Sequence, residues 1–315
     1  MSVYTELSHD DIAAILSDYP LGELTGFEGI AAGIENSNFF IDTDVGHFVL
    51  TVFERMDAEE LPYFMRLMRH LASHGLPCPD VQPRTDAELL FPLSTSEGEK
   101  QGCIVSRLRG RTLDELNLEQ LKASGYALGA LHLAGADFTE KRENPTGMTW
   151  LEKTIVQVSE KTREQYGDQA LALLQDELAY QQGRSADNLP SGVIHGDLFC
   201  DNILFEGDFV SGLIDFYYAH TAPFVMDVAI SMNAQAVLLD NKNDEARMQR
   251  FIEGYQAVRK LSDAELDVLP DMLRLSALRF WVSRLYDALF PRGGSMTQTK
   301  DPEEYRKKLL FHRGL

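Results

Sequence analysis

Apolar positions along this chain follow two periods, and the change from one to the other divides it. Near the start, Ile12, Ile15 and Leu16 fall on one face of a helix predicted over residues 5–18. Thr5 or Ser8 would cap that helix, and Asp10 and Asp11 suit its first turn. Residues 27–42 and 47–54 read as strands, with Thr43-Asp44-Val45-Gly46 as the turn between them. Helical spacing returns over 58–73 through Leu61, Phe64, Met65, Met68, Leu71 and Ala72. Gly75 ends that helix, and Pro77 and Pro79 prevent its continuation. A hairpin over 80–108 draws on Leu89-Leu90-Phe91 and Cys103-Ile104-Val105. Arg109-Gly110-Arg111-Thr112 then marks a crossover, and Thr112-Leu113-Asp114-Glu115 reads as a capping box. Beyond it the period is helical over 116–134, 150–182 and 244–258, broken by one extended excursion at 193–216. The last stretch, 293–315, is basic and polar and reads as a loosely held tail. This order predicts an α+β fold: a small antiparallel-sheet part with a helix, residues 1–106, and a larger, mainly helical part, residues 107–315.

A chain of 315 residues can bury two such cores, and 44% apolar with 25% charged residues is ordinary for a globular protein. The net charge of −20 argues against nucleic acid or an anionic membrane surface as partner. No apolar run approaches the ~20 residues of a membrane span, and the start lacks signal-peptide character. Cys78, Cys103 and Cys200 have no metal spacing and read as reduced thiols of a cytoplasmic protein. No feature assigns an oligomeric state.

The extended excursion carries the chemistry. It reads Val-Ile-His195-Gly-Asp197-Leu-Phe-Cys-Asp-Asn202, then two apolar runs around Glu206-Gly207-Asp208, then Ile-Asp215-Phe. A hairpin over the two runs brings its outer ends, Asn202 and Asp215, together. An amide and a carboxylate oxygen there suit Mg²⁺, which takes hard oxygen ligands and leaves room for substrate phosphates. Asp197, earlier on the same loop, can orient a hydroxyl and accept its proton. Such a trio is what phosphoryl transfer needs, and His195 suits an orienting role better than that of a base.

Val-Ile-His-Gly-Asp-Leu-x-x-x-Asn followed by Ile-Asp-Phe resembles the aminoglycoside phosphotransferase and choline kinase superfamily, whose members share the bilobal protein kinase-like fold. Within it, Gly33-Ile-Glu-Asn-Ser-Asn-Phe-Phe40, Phe48-Val-Leu-Thr-Val-Phe-Glu54, Ile214-Asp-Phe-Tyr-Tyr-Ala219 and Ala277-Leu-Arg-Phe-Trp-Val-Ser-Arg-Leu-Tyr-Asp287 resemble the homoserine kinases of this fold. The resemblance implies ATP and Mg²⁺ as cofactors, L-homoserine as acceptor and O-phospho-L-homoserine as product. It also implies a nucleotide-binding first lobe. Gly33, Asn36, Ser37 and Asn38 would lie on the phosphate loop between the first two strands, and Ser106 and Leu108 would offer main-chain groups to adenine. Thr51 stands where most kinase-fold proteins carry a phosphate-pairing lysine, and no lysine precedes Lys100. Homoserine kinases of this fold share that threonine.

A homoserine site needs a cation for the acceptor's carboxylate. Arg279 and Arg284, in an otherwise apolar and aromatic helix, are the two expectations, with Tyr217 beside them as a substrate contact. Five residues apart, the arginines lie about 140° apart around a helix axis, so they need not share a face. Asp227 reads as a brace for the catalytic loop. Two other functions fit the same motif: a kinase for another small hydroxylated metabolite or an aminoglycoside, and a nucleotide-binding module that lost catalysis with its lysine.

Overall fold

The computed structural model describes residues 5–30, 36–96, 98–184, 188–239, 244–291 and 300–314. The chain divides into two compact units, Met1–Gly110 with Ser211–Ile214, and Arg111–Val210 with Asp215–Leu315.

In the first unit, helix α1 (His9–Leu16) opens on Ser8, which forms a capping box with Asp11. Strands β1 (Leu24–Gly29), β2 (Asn36–Thr43) and β3 (His47–Phe53) follow, then helix α2 (Leu61–Ser73) and strands β4 (Phe91–Thr95) and β5 (Gly98–Ser106). The five strands form one antiparallel sheet in the order β1-β2-β3-β5-β4. The segment read as one strand over 27–42 is thus two, with Glu28 opposite Phe40; residues 31–35, Gly33 among them, lie outside the described residues. Period-2 alternation sends Phe39, Ile41, Leu50, Val52 and Ile104 to one face, where Ile12, Leu16 and Leu21 cover them.

A polar knot sits at one end of that covered face. Glu54 accepts hydrogen bonds from Lys100 (2.6 Å), Ser37 (2.5 Å) and the Thr5 main-chain N–H (3.1 Å). Burial opposes ionisation of Glu54, yet those donors outweigh it and hold the carboxyl below its ordinary range. The short segment Ser211–Ile214 joins this unit through Leu213, whose N–H donates to Pro77 O at 2.8 Å.

The second unit begins with helix α3 (Leu118–Ala134). Its capping box is Asn117 with Gln120, not the Thr112–Glu115 box expected from sequence. Asn117 reaches both the Glu119 and Gln120 N–H groups, so the helix starts after the buried Leu116. The period over 150–182 resolves into α4 (Met148–Tyr166) and α5 (Asp168–Gln182), separated by Gly167 at φ +85°. Strand β6 (Ser191–Ile194) pairs antiparallel with β9 (His220–Pro223). Between them run β7 (Ile203–Glu206) and β8 (Phe209–Leu213), which form a hairpin. Helices α6 (Phe224–Gln235), α7 (Asp244–Val258), α8 (Asp263–Leu289) and α9 (Pro302–His312) complete the chain. Among the described residues no helix is long and apolar enough to cross a membrane.

Two expectations for this half change. It contains a second small sheet, β6-β9, besides the hairpin. The tail is not loose over its described part: α9 buries Tyr305 and Leu309 completely and packs along α8. Its basic residues conceal the apolar positions 305 and 309, four apart on one helix face.

Helices α3 and α7 approach until backbone meets backbone. A Cβ on Gly125 would fall on the Phe251 carbonyl oxygen, and one on Gly254 on that of Lys122. Neither obstacle is a flexible side-chain end, so a methyl group forces the helices apart. Gly254→Ala is expected to lower unfolding stability by about 1–3 kcal/mol, measured by urea denaturation followed by far-UV dichroism; a variant as stable as the parent would contradict this packing.

Candidate active site

The loop between β6 and β7 is held from beneath by a buried carboxylate. Asp227, on α6 and fully buried, accepts the His195 N–H at 2.7 Å and the Gly196 N–H at 2.9 Å. It also takes a hydrogen bond from His132 Nε2 at 3.1 Å. Burial alone would raise the Asp227 carboxyl, but the His132 bond, the nearby imidazoles and the Gly196 N–H outweigh it and hold the group ionised. His132 is kept neutral chiefly by burial. With Nε2–H donating to Asp227, its Nδ1 accepts from Tyr255 Oη at 2.8 Å, and Arg259 donates to the same phenol oxygen at 3.0 Å. The brace expected of Asp227 is therefore a chain of four side chains reaching from α6 through α3 to α7 and its C-terminal end.

Gly196 has φ +76°, and a Cβ there would lie 2.8 Å from the Tyr218 carbonyl oxygen. Glycine is thus required between His195 and Asp197. The His195 ring is buried 4.8 Å from the Phe216 ring, which follows Asp215 directly. His195 accordingly packs the loop against the segment that carries Asp215.

Asn202 closes the loop by donating from Nδ2 to Asp197 O at 2.8 Å, with a longer 3.4 Å contact to Asp197 Oδ2. This directs the amide oxygen away from the loop. Asp215, exposed, takes left-handed φ 64°, ψ 63° where β8 gives way to a single 3₁₀ turn, Phe216–Tyr218. Aspartate is among the few non-glycine residues that readily adopt this region. An amide oxygen and a carboxylate flanking one hairpin are the all-oxygen donor set that Mg²⁺ accepts.

Asp197 is partly buried, and burial pushes its carboxyl up to about 7. Arg279 and Lys300 counter that shift, while Asp215 and Asp201 add to it. Arg279, from α8, donates to Gly196 O (3.1 Å) and Thr146 Oγ1 (2.8 Å), with its guanidinium 4.1 Å from the Phe280 ring centroid. The structure thus brings Arg279 to the loop of Asp197. It does not bring Arg284, which donates to Glu304 (2.6 Å) and Asp301 O (3.0 Å) and ties α8 to α9; the helical offset between the two arginines is the reason. Tyr217 lies half-buried in the turn after Asp215, but the ring within 5.7 Å of Arg279 is its neighbour Tyr218.

In the first unit, Thr51 Oγ1 donates to Asn38 Oδ1 at 2.7 Å across the β2–β3 pair, and Asn36 lies on the same face two residues earlier. Ser37 alternates to the opposite face and is drawn into the Glu54 knot, which corrects its expected place on the phosphate loop. Ser106 N–H donates to Asp80 O at 2.9 Å, while Leu108 lies past the end of the ladder. Thr146 and Lys300 were not legible beside this loop, because each reaches it from a segment without a motif of its own, and Asp201 stood within the motif without a role.

Residues 26–266 match the phosphotransferase enzyme family. A homoserine kinase of Neisseria meningitidis serogroup B is 43% identical over 310 residues, 98% of this chain and 99% of that protein. One from Rhizobium rhizogenes is 41% identical, covering 99% and 96% of the two. Among solved structures, an amicoumacin kinase in complex with AMP-PNP, Ca²⁺ and Ami shares the fold at TM-score 0.70, with 15% identity over 98% of this chain and 92% of its own. A microcompartment-associated aminopropanol kinase does so at TM-score 0.62, also at 15% identity, covering 98% and 95%. With the fold, the loop geometry and these near full-length matches in agreement, the chain belongs to the phosphotransferase enzyme family, in the group of its homoserine kinases.

Proposed function

We propose that the protein transfers the γ-phosphoryl group of ATP to the side-chain hydroxyl of L-homoserine, a step of threonine biosynthesis that yields O-phospho-L-homoserine and ADP. The chemistry rests on one observation: a partly buried carboxylate, Asp197, sits in a loop closed by Asn202 and faces the cation Arg279. The acceptor rests on the near full-length similarity to homoserine kinases.

Asp197 orients the homoserine hydroxyl. As the new O–P bond forms and the bond from phosphorus to the ADP oxygen breaks, the hydroxyl proton passes to Asp197 late in the transfer. Arg279 keeps the loop in place through Gly196 O, and its charge is assigned to the acceptor's carboxylate. Asn202 and Asp215 would hold Mg²⁺, which when bound offsets the charge of the polyphosphate. Asn36, Asn38 and Thr51 are the polar groups assigned to the nucleotide's phosphates, and Leu108 the main chain assigned to adenine. Tyr217 borders the acceptor. The reaction belongs in the cytoplasm, where the three free cysteines stay reduced.

Asp197→Ala should lower kcat by two to four orders of magnitude, about what removing a general base costs, while ATP affinity by calorimetry stays within a few-fold. ADP release at the parent rate would remove Asp197 from this role. A coupled ADP-release assay across L-homoserine, choline, methylthioribose and an aminoglycoside should show efficient turnover of homoserine alone. Preference for another acceptor refutes the substrate, and no turnover with any acceptor points to a nucleotide-binding module.

Because burial raises the Asp197 pKa, the base is protonated below neutrality and active above it. In metal-free protein, a ¹³C-carboxyl resonance absent from Asp197→Asn should titrate near pH 7. The acid limb of kcat/KM should fall as that group protonates, lying at lower pH when bound cations favour the carboxylate. A carboxyl titrating near 4, the ordinary aspartate value, would refute the environment described for it.

A further inference from the structure

Lys300, just ahead of α9, brings a cation to the loop of Asp197. Lys300 Nζ lies 3.1 Å from Asp201 Oδ2, next to Asn202 in sequence, and 5.1 Å from the centre of the Phe199 ring. Asp197 feels its charge, as it does that of Arg279. This is not a loose surface lysine. Its neighbour Asp301 caps α9 by accepting the Glu303 N–H at 2.9 Å, and the Asp301 carbonyl accepts from Arg284 at 3.0 Å. One turn on, the fully buried Tyr305 ring packs against Phe280 (5.2 Å) and Phe199 (6.2 Å), anchoring the helix to the loop.

The two cations near Asp197 differ in what they have left to offer. Arg279 is buried, with Nε and Nη1 engaged by Thr146 and Gly196. The Lys300 side chain is 52% exposed and an ammonium carries three donors, of which Asp201 takes one. A single exposed ion pair is worth little for stability, so Asp201 is better read as an aiming group than as a structural partner. In homoserine only a few bonds separate the hydroxyl from the carboxylate, so a molecule with its hydroxyl at Asp197 places its carboxylate in this neighbourhood.

The geometry points to Lys300 as a residue that binds the α-carboxylate of the amino-acid acceptor together with Arg279, so that this lysine selects amino acids over amino alcohols. This inference rests on the homoserine reading above and adds the residue that enforces it. Asp201 keeps the ammonium over the loop in the absence of acceptor and yields it to the incoming carboxylate. A compact, hydrated ammonium on a mobile stem suits such an exchange better than a buried guanidinium does.

Kinetics of Lys300→Met with L-homoserine and with 3-aminopropan-1-ol, which lacks the carboxylate, provide the test. The variant should raise KM for homoserine about tenfold, the loss of one charge-assisted hydrogen bond. Its kcat and its KM for ATP should stay within about threefold. The constant for 3-aminopropan-1-ol, as substrate or competitive inhibitor, should not move, and Lys300→Arg should restore most of the homoserine affinity. An unchanged KM for homoserine overturns the assignment. So does an equal loss with both acceptors, which would place the ammonium on the transferring phosphoryl group or on the fold. If the parent enzyme itself fails to turn over homoserine, the functional reading falls and this inference with it; an active parent with an indifferent variant removes only the inference.

Discussion

One buried carboxylate, that of Asp227, sets the geometry on which the catalytic loop depends. Two consecutive main-chain N–H groups, those of His195 and Gly196, have no strand or helix to receive them, because the chain leaves β6 there and turns through positive φ. Left unpaired and buried, each would cost about 1–3 kcal/mol. An ionised acceptor on the most buried helix satisfies both and fixes the direction in which Asp197 leaves the loop. An ionised group in that position is itself costly unless hydrogen-bonded on all sides. The neutral imidazole of His132, fixed in its tautomer by Tyr255, provides the remaining bond.

Against that fixed support, the functional carboxylates occupy graded environments. Asp227 is sealed and saturated with donors, and stays charged. Asp197 is short of donors, near two other acids and partly buried, and its affinity for a proton rises toward neutrality. Asp215 is exposed, on a backbone turned into the left-handed region. The same side chain thus ranges from a sealed anion, through a proton acceptor near neutrality, to an exposed carboxylate, by differences in burial and hydrogen bonding.

Much of this was legible in the chain. The spacing from His195 to Asp215 identified the loop and hairpin, because local turns and strand lengths fix where such residues fall. Helix α7 and the termination of α2 at Gly75 followed from periodicity and glycine chemistry alone. Where reading failed, a longer-range contact had overridden a local signal. Ser37 looked like a phosphate-loop donor until strand alternation turned it toward Glu54, which is 17 residues away. Arg284 looked equivalent to Arg279 until α9 supplied Glu304. The polar tail concealed Tyr305, whose partners Phe199 and Phe280 cannot be inferred from its neighbours. Nothing local marks Gly125 and Gly254 as the residues that permit the contact between α3 and α7.

The contact of Phe199 with Tyr305 also bears on the order of folding. The two rings are more than a hundred residues apart in sequence, so closing that contact carries the entropic cost of a long loop. The hairpin, and the Asp227 bonds to the His195 and Gly196 N–H groups 32 and 31 residues away, join segments nearer one another and can form earlier. A refolding chain should therefore pass through a compact species with its motif assembled but α9 undocked, and recovery of activity should lag behind recovery of helical signal.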